Sequence, residues 1–237
     1  MTEPDLTDLK QLIAQCTPEQ RQSLFKELRS EIQIHELEGT FGAPAEVILE
    51  AIHRAPELTR RMLRGVIADS AFATLIVPAL AAYGWQDDTP PGNHSFDHML
   101  KDAQGRVSVQ VKLQRSERGN PVITTGTRFG LGAAMYMVEP QKTRTGKVMD
   151  AEGGEKKTRP YRYGEFDVLA VSLQPSNGRW DSFRYTVGNW LLPGVGPNEI
   201  ATYQPVPMEP NDDWTDDFNV AAQWFRSGIV KRISNRA

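Results

Sequence analysis

The sequence predicts an α/β protein in which a mixed central β-sheet is flanked by helices and preceded by a helical N-terminal region. Three observations carry that expectation. Helical periodicity fills roughly the first ninety residues, strand-like alternation follows a glycine- and proline-rich break after Trp85, and no repeat or low-complexity linker separates the two textures.

The elements are read in order. Leu6, Leu9, Leu12 and Ile13 share one helical face, and Thr17-Pro18-Glu19-Gln20 is a capping box with proline at the first helical position. A second helix carries Leu24, Leu28, Ile32 and Ile34, after which Gly39 and Gly42 interrupt the pattern. Residues 43–53 and 56–83 give two more helices, the latter with a bend expected at Pro78. The run Asp87-Asp88-Thr89-Pro90-Pro91-Gly92-Asn93 breaks the chain. Residues 95–100 and 107–113 then form a hairpin whose connection contains Gly105. Val107, Val109, Val111 and Leu113 alternate with Ser108, Gln110, Lys112 and Gln114, so the polar side chains share one face. Residues 135–138, 166–173 and 180–190 read as further strands, 143–159 as a loop, and 214–225 as a closing helix.

The composition narrows the function classes. A length of 237 residues with 39% apolar content suffices for one well-buried domain with a helical appendage. A single cysteine, Cys16, excludes an intrachain disulfide and a cysteine-rich zinc site. The apolar stretch 71–83 is broken by Thr74 and Pro78 and falls short of the ~20 residues of a membrane span, and the acidic N-terminus has no secretory pattern. A cytoplasmic protein without a membrane partner is expected. The net charge of −3 is unevenly spread: residues 112–162 carry eleven Lys or Arg against five acids, a local +6 that leaves −9 elsewhere. A basic middle in an acidic chain suits a protein that grips phosphates locally, and equally a solvated basic face.

The hairpin carries the chemistry. A carboxylate on one strand, Asp97, returns against Gln110 and Lys112, which lie two residues apart on one face of the next strand. Oxygen ligands so placed can hold Mg²⁺ beside a phosphate, and a nearby ammonium can orient a bound water or help deprotonate it. Other chemistries find less support. His94 and His98 lack an adequate third zinc ligand, no serine sits in a nucleophile elbow, and Gly126, Gly130 and Gly132 lack the lysine and spacing of a phosphate loop.

Phe96-Asp97 followed by Val109-Gln110-Val111-Lys112 resembles the PD-(D/E)XK nucleases, in particular the type II restriction endonucleases. That resemblance implies a restriction-endonuclease-like core over 61–237 and a helical region over 1–60 for DNA contact or dimerisation. It implies Asp97 as a metal ligand, Gln110 in the place of the usual acidic ligand, and Lys112 positioning the nucleophilic water. Phe96 departs from the proline of the pattern. Gln110 replaces Glu or Asp, which removes one negative charge and makes the metal site weaker or more dependent on DNA phosphate. The stretch 63–72 resembles the helix before the catalytic hairpin and puts Asp69 where an acid faces the metal; 158–171 resembles the entry to a later core strand, where Asp167 reads as a turn residue. The implied activity is Mg²⁺-dependent, sequence-specific hydrolysis of double-stranded DNA leaving 5′-phosphates. A homodimer and a cognate DNA methyltransferase are the implied partners. Arg115, Arg118, Arg128, Lys142, Thr143 and Arg144 are candidate DNA contacts. Two alternatives remain open: a structure-dependent repair nuclease of the same superfamily, and a catalytically degenerate DNA-binding regulator.

Overall fold

The computed structural model describes residues 6–32, 35–125, 130–142, 148–149, 155–156 and 160–234. The chain divides into two compact units, Met1–Arg60 and Arg61–Ala237.

The first unit holds α1 (Leu6–Gln15), α2 (Pro18–Glu31), α3 (Leu37–Phe41) and α4 (Ala45–Arg54). The capping box forms as expected. Thr17 accepts from the Gln20 backbone N–H at 3.3 Å, and the Thr17 N–H donates to Gln20 Oε1 at 2.9 Å, so both orphan donors at the start of α2 are satisfied. Gly42 closes α3 in the left-handed conformation at φ 59°. Arg29 ties three helices together by ion pairs to Glu38 and, at 3.0 Å, to Glu46. Leu6, Leu12, Phe25, Phe41, Val47 and Leu49 are exposed, and α1, α3 and α4 bury no residue. Helical periodicity thus specifies an apolar side without specifying what covers it. Ile34, expected on α2, lies outside the described residues.

The second unit opens in α5 (Glu57–Ala71). Pro78 has no N–H for the carbonyl four residues earlier, and the helix widens into a π-helical turn, Phe72–Ile76, just before it. The short α6 (Val77–Leu80) and a 3₁₀ turn, Ala81–Tyr83, complete the run. By length and composition the continuous helix Glu57–Tyr83 could cross a membrane, a property not apparent from residues 71–83 alone. Its Ala68, Phe72 and Leu80 nevertheless pack into the core under the sheet.

Beyond it come β1 (Gln86–Asp87), β2 (His98–Asp102), β3 (Gly105–Leu113), β4 (Ser116–Glu117), β5 (Asn120–Pro121), β6 (Ile123–Thr125), β7 (Ala133–Val138), β8 (Val148–Met149), β9 (Glu155–Lys156), β10 (Val168–Ser172), the short helix α7 (Gln174–Asn177), β11 (Phe183–Val187) and β12 (Gln204–Val206). The central sheet has the order β1-β2-β3-β10-β11 and is mixed: β3 and β10 are parallel, and the other pairs antiparallel. Within the expected loop over 143–159, the described residues pair as a short ladder, β8 against β9. A second sheet, β12-β7-β6, joins the first where the Arg115 N–H donates to the Met137 carbonyl at 2.8 Å.

Each face of the central sheet has its own core. On one side, Ala68, Phe72 and Leu80 together with Phe218, Ala221 and Ala222 of α8 (Phe218–Arg226) pack on Val109, Val111, Val168 and Ala170. On the other, Leu169 and Val171 meet Tyr161, Phe166, Trp190, Val138 and Val206. Burying so many aliphatic and aromatic side chains stabilises the fold by about 1.5–3 kcal/mol for each that leaves water completely.

Helix α8 is fixed to the β2–β3 turn by Arg226, which pairs with Asp102 through both terminal nitrogens at 2.6 and 2.8 Å and lies 5.0 Å from the Trp85 ring centroid. The hydrogen bonds from Arg226, outweighing the effect of burial, and those from the Gln104 and Gly105 N–H groups hold the Asp102 carboxyl below its ordinary pKa. A depressed acid stabilises the fold above its unfolded pKa and loses that contribution as pH falls through the lower, folded value. Arg226→Ala is therefore expected to cost about 2 kcal/mol at neutral pH, between the values for exposed and buried pairs. Urea unfolding at pH 7 and below pH 3 checks this, with the difference shrinking in acid.

Candidate active site

The register of the hairpin builds the site. His98 pairs with Val109, which sets Asp97 opposite Gln110. Asp97 itself lies one residue before β2, not inside a strand over 95–100, but its N–H still donates to the Val109 carbonyl at 3.0 Å. Its carboxylate then takes over the ladder: Oδ2 accepts the Val111 N–H at 2.8 Å and also accepts from Gln110 Nε2. These bonds converge on one oxygen, leaving Oδ1 as the atom that can face a ligand.

The alternation of β3 holds, but its polar face is not solvated. Gln110 is 1% exposed, and Ser108 and Gln114 are also buried. Parallel pairing puts Leu169 beside Gln110 and Val171 beside Lys112, so the stripe faces the second core. Tyr161, 5% exposed, reaches Gln110 there and donates its hydroxyl to Oε1 at 2.8 Å. Two lysines approach the Tyr161 ring, with Lys112 Nζ 5.6 Å and Lys142 Nζ 5.3 Å from its centroid.

Electrostatics distinguish these groups from ordinary surface charge. Burial raises the Asp97 pKa, and the nearby Asp69 charge adds to this, while Lys112 and the Val111 N–H oppose it. Burial lowers the pKa of Lys112 against the pull of Asp97 and Asp69. Burial, then the charges of Asp97 and Glu165, raise that of Tyr161, so its phenol stays protonated. Desolvated groups with shifted pKa values, brought together in one place, fit a reaction centre.

Asp97, Gln110 and Lys112 thus come together on one face. Asp69 approaches from α5 and bonds His98 Nε2 at 2.8 Å; it influences Asp97 and Lys112 through its charge, without a hydrogen bond to either. Lys142 is ion-paired with Glu165 at 2.5 Å beside the site. Arg115 is held by Glu139 at 2.6 Å and Glu117 at 3.3 Å, so its charge serves the fold before any phosphate. Asp167 is no mere turn residue. Its Oδ2 accepts from both the N–H and the hydroxyl of Ser108 at 2.8 Å and locks β10 to β3. Arg128, Thr143 and Arg144 lie outside the described residues.

Arg118 is exposed at the tip of the β4–β5 hairpin with φ 51°, followed by Gly119 at φ 83°. Positive φ at both central positions favours glycine or asparagine, and an arginine there is strained. Arg118→Gly is expected to raise stability by ~0.5–1 kcal/mol and, should the side chain hold DNA, to weaken duplex binding. Thermal melts and a salt-dependent binding titration read the two effects separately.

The sequence marks neither His98 nor Tyr161 as a partner of this site. Spacing offers His98 only as a zinc ligand, whereas in the structure it is buried, bonded to Asp69 and packed 5.1 Å from the Phe72 ring centroid. Tyr161 carries no local signal, since its partner Gln110 is 51 residues away in sequence.

No protein-family model matches the chain, and no curated protein matches it significantly. Among solved structures it is similar to a bacterial homing endonuclease, I-Ssp6803I, with a TM-score of 0.41 at 19% identity over 70% of this chain and 94% of that one. So distant a likeness leaves the functional assignment to the side chains.

Proposed function

We propose that the chain is a divalent-metal-dependent DNA endonuclease of the type II restriction class. The observation that carries this reading is the hairpin itself: Asp97 bonded to Gln110, with Lys112 two residues on along the same face, desolvated and without a hydrogen bond or ion pair among the described residues.

The donor set fits a hard cation held loosely. Mg²⁺ commonly takes one or two protein oxygens and completes its shell with water and phosphate. Asp97 Oδ1 and the Gln110 carbonyl oxygen would be the protein ligands, and a cation there would neutralise phosphate charge and acidify a bound water. Lys112 would hold that water by hydrogen bonding and, in the neutral form that burial favours, would take up its proton at Nζ. The buried Leu169 and Val171 beside Gln110 and Lys112 keep bulk solvent from screening these charges. Glu165 fixes Lys142 beside the site, placing a second cation where a phosphate would approach.

Sequence-specific cleavage leaving 5′-phosphates, a homodimer that cuts both strands, and a cognate methyltransferase protecting the same site complete the reading. The exposed apolar residues of the N-terminal helices support self-association, since apolar area at that density is unusual on a monomer. Incubating the purified protein with plasmid and Mg²⁺ is expected to give discrete fragments, abolished by Lys112→Ala. Intact DNA of varied sequence in both Mg²⁺ and Mn²⁺ overturns the proposal.

One observation favours a second reading, a degenerate nuclease core that binds DNA without cutting. The Gln110 amide turns its nitrogen, not its oxygen, toward Asp97, and no cluster of three His, Cys, Asp or Glu occurs among the described residues. Calorimetric Mn²⁺ titration with and without duplex DNA separates the two, because the regulator takes up no metal in either case.

A further inference from the structure

Gln110 has one oxygen and one nitrogen at its end, and the two are not interchangeable toward a cation. In the structure Nε2 donates to Asp97 Oδ2 and also lies 3.3 Å from the Val111 carbonyl, while Oε1 accepts from the Tyr161 hydroxyl at 2.8 Å. A divalent ion at Asp97 would repel the N–H groups and favour the oxygen, so Gln110 would serve as a ligand only with its amide turned end for end about the last torsion. That torsion is soft, with two broad wells. After the turn Nε2 faces Tyr161 Oη, where a donor now needs an acceptor.

A phenol hydroxyl can serve either orientation, because it carries one proton to give and lone pairs to accept. Tyr161 is buried, stays protonated for want of solvation, and packs edge-on against Phe166 with ring centroids 5.2 Å apart. We infer that Tyr161 is a positioning residue whose hydroxyl switches from donor to acceptor as Gln110 turns its amide oxygen to the metal. This rests on the metal-dependent nuclease reading and extends it: the tyrosine gives a neutral amide a satisfied hydrogen-bond state both with and without the cation. An acidic side chain, with two equivalent oxygens, needs no such partner.

The test is a double-mutant cycle on Mn²⁺ affinity, read by calorimetry on the full chain. Tyr161→Phe removes the hydroxyl from both states, leaving an under-used amide oxygen in the free form and an orphaned N–H, the costlier of the two, in the bound form; it is therefore expected to weaken Mn²⁺ binding about fivefold. In a Gln110→Glu background the same change is expected to weaken binding by no more than about twofold. Equal losses in the two backgrounds, or none in the first, overturn the switch; no Mn²⁺ binding by the unaltered protein overturns both the switch and the metal-dependent reading. Because Tyr161→Phe could lose stability, the unaltered protein supplies a second readout. In nuclear magnetic resonance, Mg²⁺ is expected to strengthen the nuclear Overhauser contact from the Gln110 NH₂ protons to the Tyr161 ring. Saturation with Mg²⁺ without that change contradicts the proposal.

Discussion

Lys112→Met is expected to lower DNA cleavage about a thousandfold while leaving the protein as stable as before or more so. The first half follows from the role of Nζ, since removing a positioned proton-transfer group costs roughly 10²–10⁴ in rate. The second follows from burial. Lys112 sits against Tyr161 with its pKa pushed down by desolvation, so in the folded state its charge is disfavoured. A lysine whose folded pKa is depressed contributes stability only above its unfolded value and loses it as pH falls through the folded one. At neutral pH, below the unfolded value, the buried lysine is therefore a cost whether charged or neutral, and a methionine of similar length removes it, for a gain on the order of 1 kcal/mol. Asp97 shows the complementary sign. With its pKa raised mainly by burial, it favours folding below its unfolded value and ceases to do so as pH rises through the folded one. Both groups are held at a cost that the fold alone does not explain. Equal loss of cleavage and of melting temperature in Lys112→Met identifies the lysine as structural.

Gly188→Ala is expected to be the most damaging small substitution in the second unit. A Cβ at this position would lie 2.5 Å from the Phe166 carbonyl oxygen and 3.0 Å from its ring, and backbone cannot yield as a flexible side chain can. The Gly188 N–H donates to the Asp167 carbonyl at 2.7 Å, so the clash falls where Asp167 locks β10 to β3. Overpacking of this kind costs about 2–3 kcal/mol, a large part of a total stability near 5–15 kcal/mol. The damage also reaches the site, because Phe166 supports Tyr161, which holds Gln110. Denaturant unfolding combined with Mn²⁺ affinity checks this. Full stability with unchanged affinity removes Phe166 from the chain of support.

The hairpin was legible because a strand has a period of two and a glycine-bearing turn fixes its register. From those alone Asp97 falls opposite Gln110, and Lys112 shares the face. The burial of that face was not legible. The period of two puts Ser108, Gln110 and Gln114 on one face without saying whether water reaches it, and Tyr161 and the second sheet, brought in by distant segments, cover it. Alternation reports which residues share a face, and only tertiary contacts decide whether water reaches it. The same limit applies to α5: Pro78 announces a bend, while the π-helical turn from Phe72 reflects how the freed carbonyls are accommodated. Only resemblance singles out Asp69 in the sequence, and its hydrogen bond to His98, 29 residues on, emerges with the fold.

The most direct test is to locate the cation. In crystals of the protein with a duplex and Mn²⁺, the anomalous signal is expected as a peak within ~2.0–2.3 Å of both a carboxylate oxygen of Asp97 and the amide oxygen of Gln110, with Lys112 Nζ beside a metal-bound water. A peak held by other residues, or none at saturating Mn²⁺ with DNA in place, contradicts the account.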